Sequence, residues 1–185
     1  MNLLEFSLKP FQGKRDRPDI RISGTIGRRT GTLSFRCAVQ GDISELAIPL
    51  TEGPPARKDR LWEATCLELF LAIPGSRGYW EFNLSPAGHW NVYRFASYRK
   101  GRREEPAFSS LPFGMRSGPG SLRLSVDLDL GKILPADGSV EAGVCAVIRT
   151  TAGGTSHWAL AHPGPRPDFH RREGFAPILP DGRSP

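Results

Sequence analysis

Residues 66–73 read Cys66-Leu67-Glu68-Leu69-Phe70-Leu71-Ala72-Ile73, and residues 79–84 read Tyr79-Trp80-Glu81-Phe82-Asn83-Leu84. In the second stretch Trp80, Phe82 and Leu84 alternate with Tyr79, Glu81 and Asn83, the period of two expected of a strand with one face against a core. The first stretch offers two periods. No Gly or Pro interrupts residues 56–73; Leu61, Trp62, Cys66, Leu69, Phe70 and Ile73 fit one helical face, whereas Leu67, Leu69, Leu71 and Ile73 fit a strand. A helix strands Leu67 and Leu71 on its polar side, so residues 66–73 are expected to be a strand, preceded by a loop or short turn.

Working outward, the same alternation recurs in Leu4, Phe6 and Leu8, in Leu33, Phe35, Cys37 and Val39, in Leu122, Leu124, Val126 and Leu128, and in Val140, Ala142, Val144, Ala146 and Ile148. Gly153-Gly154 separates the last run from residues 155–160 and predicts a hairpin. The 21 Gly and 17 Pro are spread through all 185 residues, which leaves little room for a long helix. Pro49, Pro54 and Pro55 mark one long loop and residues 99–119 another, while the glycine-rich pieces 27–31 and 114–120 lack phosphate-loop spacing and read as turns. No repeat period is visible. The expected fold is all-β: a single antiparallel β-sandwich over residues 1–185, of jelly-roll or immunoglobulin-like type, with few or no long helices.

Composition narrows the partners. The net charge of +6 suggests nucleic acid, but the excess is shared along the chain and forms no basic tail or stripe, so no nucleic-acid partner is expected. Apolar runs are far shorter than the roughly 20 residues of a membrane span, so no membrane partner is expected either. Acidic Glu5 interrupts an N-terminus that lacks a basic region before an apolar one, and Cys37, Cys66 and Cys145 show no pairing or metal spacing. A cytoplasmic location with buried, reduced thiols is the expectation. Oligomeric state is not legible.

Three ordered blocks carry a resemblance. Leu61-Trp62-Glu63-Ala64-Thr65-Cys66-Leu67-Glu68-Leu69-Phe70 is followed by residues 79–95, YWEFNLSPAGHWNVYRF, and then by His157-Trp158-Ala159-Leu160-Ala161-His162-Pro163 with Pro167-Asp168-Phe169-His170. Together they resemble the DOMON-like superfamily of β-sandwiches, specifically its bacterial single-domain proteins related to family 9 carbohydrate-binding modules. The resemblance spans most of the chain and implies two packed antiparallel sheets, with relatives that bind sugars or, in the cytochrome branch, haem b. One fold hosts many sites, so it implies no single function.

The residues themselves point to a polar sheet face. If Leu67, Leu69 and Leu71 face the core, Glu68 faces away from it, and Glu81 and Asn83 do the same on the next strand. Carboxylates and a carboxamide can each engage vicinal hydroxyls, Arg94 on the following strand could hold the carboxylates ionised, and Trp62, Trp90 and Trp158 supply apolar faces for sugar C–H groups. The plain alternative is a solvated sheet face with cross-strand Glu–Arg pairs and core tryptophans. Two carboxylates also raise glycoside hydrolysis, but GxSxG, HExxH and P-loop motifs are absent, and binding without cleavage is the expectation.

His157, His162, Asp168 and His170 form the one cluster with metal-ligand chemistry, although the Pro-Gly-Pro-Arg-Pro between them hides whether they converge. The haem of the resembled family is usually held by a Met and a His, and only Met115 is offered beyond the first residue. The expected function is a non-catalytic module for a saccharide, a glycosylated metabolite or another small polar ligand, with no cofactor. The alternatives are a haem- or metal-binding redox protein and a cytoplasmic enzyme using the His-rich C-terminal segment.

Overall fold

Alternating segments become strands where neighbours complete their backbone hydrogen bonds, and the computed structural model describes this over residues 2–12, 17–29, 31–51, 53–134 and 139–178. In chain order the strands are β1 (Asn2–Ser7), β2 (Lys9–Pro10), β3 (Ile20–Arg29), β4 (Thr32–Gly41), β5 (Cys66–Ala72), β6 (Tyr79–Leu84) and β7 (Trp90–Phe95). They continue as β8 (Arg103–Glu104), β9 (Phe113–Gly118), β10 (Ser121–Asp129), β11 (Val140–Arg149), β12 (Thr155–Ala159) and β13 (Ala176–Ile178). Helical structure among the described residues is confined to 3-10 turns of 3 residues each.

One antiparallel sheet runs β1-β3-β4-β10-β9 and the other β2-β12-β11-β5-β6-β7-β8, with β13 paired to the part of the β11 edge that β12 leaves open. The two sheets close on one core. Phe35, Val39, Leu124 and Val126 from the first share a buried cluster with Leu67, Leu69, Leu71, Phe82, Leu84 and Val144 from the second. Each of these apolar residues alternates with one facing away, so the period of two sets both the strand and its buried side. The chain is therefore the all-β sandwich that the alternation predicts, with a strand at Cys66–Ala72 after a short turn at Leu61–Glu63.

Two pieces expected to be turns are strand over most of their length. Gly27 lies within β3, and residues 114–118 lie within β9, an edge strand paired to β10; the long loop expected over 99–119 also contains β8. Glycine in β3 answers close approach: a Cβ on Gly24 would stand 1.9 Å from the Arg36 carbonyl oxygen and 2.8 Å from the Phe6 ring. The expected reversals fall at the last glycine of each piece, Gly31 and Gly120, with φ of 80° and 68°. Met115, expected in a loop, is in β9 and packs against the main core.

The outer face of the larger sheet carries a second apolar cluster of Phe70, Ala72, Tyr79, Tyr93, Phe95, Cys145 and Ala159, with Trp62, Phe169 and Phe175 packed on it. Its cover is the C-terminal segment. Phe175 sits so close over Gly143 that a Cβ there would come within 2.6 Å of the ring, and β13 fixes the end of the segment to β11. Cys37, Cys66 and Cys145 are buried free thiols. Among the described residues no helix is long and apolar enough to cross a membrane.

Candidate functional site

Register places the acidic residues. Glu68 of β5 pairs across the sheet with Asn83 of β6 and Cys145 of β11, and Asn83 pairs with Asn91 of β7; in the next row Phe70, Glu81 and Tyr93 lie side by side. Partners in register share a face, so Glu68, Glu81 and Asn83 stand together on the outer side, diagonal neighbours within reach of one another. All three are buried, Glu68 at 3% exposure and Glu81 at 5%. The Asn83 amide donates to Glu81 Oε1 at 2.8 Å, while Glu68 Oε1 is buried with no hydrogen-bond partner.

Over this floor lies a cleft of about 420 Å³, walled by Trp62, Phe95, Arg99, Arg102, Phe169 and His170, with Val147 and His157 at one side. Burial pushes the Glu68 carboxyl well above the usual carboxylate range and the neighbouring Glu81 charge adds to it, with Arg99 opposing. Glu81 is raised by burial too, against the Asn83 hydrogen bond and the Arg102 and Arg99 charges. Burial and mutual repulsion favour the protonated form of these carboxyls, and a carboxyl in that form donates a hydrogen bond as well as accepting. Burial above all pushes the Cys66 and Cys145 thiols well above their ordinary range, which disfavours the nucleophilic thiolate.

The rim comes from loops. Arg102 stacks its guanidinium 5.4 Å from the Trp62 ring centre and 5.0 Å from that of Tyr93, and Trp62 meets Tyr93 edge-on at 5.9 Å. Asn91 ties the loop before the Leu61–Glu63 turn down by accepting from Arg57 at 2.7 Å and donating to the Lys58 carbonyl at 3.0 Å. Arg99, held at φ 53°, donates through its backbone N–H to the Tyr79 hydroxyl at 3.1 Å and through its guanidinium to Asp168 at 2.8 Å. Burial alone raises the Asp168 carboxyl, but hydrogen bonds from Tyr98 and Arg99 outweigh it and hold the group below its ordinary range.

Of the ligand-binding residues expected from sequence, Trp62, Glu68 and Glu81 line the cleft and Asn83 braces Glu81. Trp90, Arg94 and Trp158 do not join them. Trp90 and Trp158 point into the main core, Trp90 beneath Arg57 at 4.5 Å and Trp158 bonded to Ser156 Oγ at 2.9 Å. Arg94 shares their parity on β7, opposite to Tyr93 and Phe95, and stacks on Trp80 at 5.4 Å instead of meeting the carboxylates. The expected metal donors also part: His157 and His170 line the cleft, Asp168 is held by Arg99 and Tyr98, and His162 turns to the Lys9 carbonyl at 2.9 Å. Among the described residues no group of three or more His, Cys, Asp or Glu side chains is placed to hold a metal ion.

Arg99, Arg102, Phe95 and Phe169 were not singled out in the sequence. The run Arg99-Lys100-Gly101-Arg102-Arg103 directly after a strand is a loop signal, and only its charge complementarity to an acidic floor marks it for a site.

Solved structures share this architecture. A proposed carbohydrate-binding protein from Bacteroides uniformis superposes with a TM-score of 0.71 at 14% identity, covering 97% of this chain and 87% of its own. A family 9 carbohydrate-binding module from Caldicellulosiruptor kristjanssonii, solved with cellotriose, gives 0.58 at 10% identity, covering 98% and 84%. The fold is that of a family 9 module. A family 9 module from the same organism, solved with glucose, gives 0.52 at 11% identity over 92% of this chain and 81% of its own. No family model matches the sequence, and no curated protein matches it at the level of a relative. At these identities the family 9 likeness is one of fold.

Proposed function

We propose that the chain is a non-catalytic binding domain that holds a saccharide, or the sugar of a glycosylated metabolite, in the cleft over Glu68 and Glu81. The observation that carries the reading is the Glu68 Oε1 atom, buried at the floor of an open cleft without a hydrogen-bond partner. A buried polar atom left unpaired costs about 1–3 kcal/mol, and a sugar hydroxyl is the kind of group that removes that cost. Trp62 adds an aromatic wall against which the apolar face of a pyranose stacks. The volume of about 420 Å³ is that of a small-ligand site. Fold neighbours solved with cellotriose and glucose support the ligand class.

Binding is favoured over hydrolysis by the direction of approach. Both carboxyls rise from one sheet face on adjacent strands, so they reach a ligand from the same side, whereas glycosidases place their two carboxyls on either side of the scissile bond. Tryptophan fluorescence gives the test. Trp80, Trp90 and Trp158 are core residues and Trp62 lines the cleft, so titration with glucose or cellotriose should change emission saturably, and Trp62→Phe should remove most of the change. A response unaltered by Trp62→Phe places the sugar elsewhere.

A further inference from the structure

His170 also borders a second and larger pocket of about 710 Å³, built where three segments meet. The β5–β6 turn brings Ser76 and Arg77, the β7–β8 turn brings Ser97 and Lys100, and the C-terminal segment brings Arg171 and Arg172. Four cationic residues thus border one depression whose lining holds a single carboxylate, Glu173. Two are already engaged in building it. Arg172 donates to the carbonyls of Ser76 at 2.8 Å and Ile73 at 3.2 Å and pairs with Glu141, which clamps the β5–β6 turn to the C-terminal segment. Arg171 stands 3.7 Å from Asp168. Arg77 and Lys100 are exposed and, among the described residues, neither takes part in an ion pair.

Like charges gathered on separate segments repel, and an anion seated between them replaces that repulsion with attraction. Three directions of approach suit a group with acceptor oxygens on several sides, and the Ser97 hydroxyl adds a neutral donor beside the cations. We propose that this pocket binds a tetrahedral oxyanion, a phosphate or sulfate, with Arg77 and Lys100 as its principal contacts and Arg171 behind them. The pocket meets the saccharide cleft at His170, so the anion is either free or an ester on the same sugar; the site itself does not depend on the saccharide reading.

Calorimetric titration of the full chain with inorganic phosphate, and separately with sulfate, at low ionic strength tests it. Saturable binding with a dissociation constant near or below about 1 mM, weakening as salt is added, is the expected result. The double variant Arg77→Gln, Lys100→Gln should bind phosphate at least about tenfold more weakly, with an unchanged melting temperature and unchanged response to uncharged sugars. Glucose 6-phosphate that binds at least about tenfold tighter than phosphate assigns the anion to a sugar ester, whereas equal affinity assigns it to the free ion. Absence of saturable binding of either ion, or equal phosphate affinity in the double variant, overturns the proposal. Loss of glucose and cellotriose binding alone would overturn the saccharide reading and leave this one standing.

Discussion

Tyr79 and His170 join the sheet to its cover: the Tyr79 oxygen accepts from the Arg99 backbone N–H at 3.1 Å and lies 2.8 Å from His170 Nδ1. In the tautomer that carries the proton of a neutral His170 on Nε2, the phenol donates to Nδ1 while accepting from Arg99. The imidazole is ringed by Phe70, Tyr79 and Phe95 at 5.2, 5.8 and 5.1 Å. Burial first, and the Arg99 charge second, bring its pKa down to about 4 against the opposing pull of Asp168.

Histidine resonances should therefore include one that titrates with a midpoint near 4. The folded group binds its proton less readily than the unfolded one, so stability rises with pH across the window from about 4 to 6.5 and is lost as pH falls through it. Amide exchange should show the cover, residues 167–178, loosening in that window before the main core. An ordinary midpoint for all four histidines would show that His170 is not seated as described.

Glu68 has the opposite sign. Its folded carboxyl keeps its proton above the ordinary range, so its contribution to stability falls as pH rises from about 4.5 upward. Glu68→Gln should stabilise the free protein at neutral pH, because it removes the cost of ionising a buried carboxyl, and should flatten the pH dependence. Thermal melts from pH 4 to 8 check this, and a less stable variant at neutral pH would contradict it.

Much of this was legible in the sequence, and the reasons differ by residue. Alternation in residues 79–84 assigns Phe82 to the core and Glu81 to the outer face because the strand period is two and the turn at 85–88 leaves the register intact. Arg94 was misplaced because its neighbour Tyr93, not Arg94, shares a face with Glu81. Trp90 and Trp158 follow the core parity of Val92 and Ser156, yet aromatic chemistry alone suggested a ligand wall. The cover could not be read at all. Packing Phe169 and Phe175 onto Phe70 and Gly143 brings together residues about a hundred positions apart for Phe70, with no periodic signal between them.

Gly143 gives a test of that cover. Gly143→Ala should displace the Phe175 ring, since the added Cβ would meet two ring carbons at 2.6 and 2.7 Å, and should cost about 1–3 kcal/mol as overpacking does. Exchange in residues 167–178 should rise, and sugar affinity should fall, while the amides of β4 and β10 stay protected. Wild-type exchange in the segment would show that Phe175 does not anchor it.

Core and cleft should separate cleanly. Phe82→Ala removes a fully buried ring and should destabilise the fold by about 3–5 kcal/mol. Trp62→Ala, at the half-buried rim, should leave the melting temperature near that of the wild type and abolish sugar binding. Equal losses of stability would mean that the two faces of the larger sheet are assigned wrongly.

The most direct measurement is a crystal structure of the chain soaked with the tightest binder from a panel of soluble saccharides that includes glucose and cellotriose. The expected density is a sugar ring against Trp62 with a hydroxyl at hydrogen-bond distance from Glu68 Oε1 and another from Glu81. A panel with no binder, or a sugar held away from the Glu68–Glu81 floor, would contradict a saccharide site in this cleft.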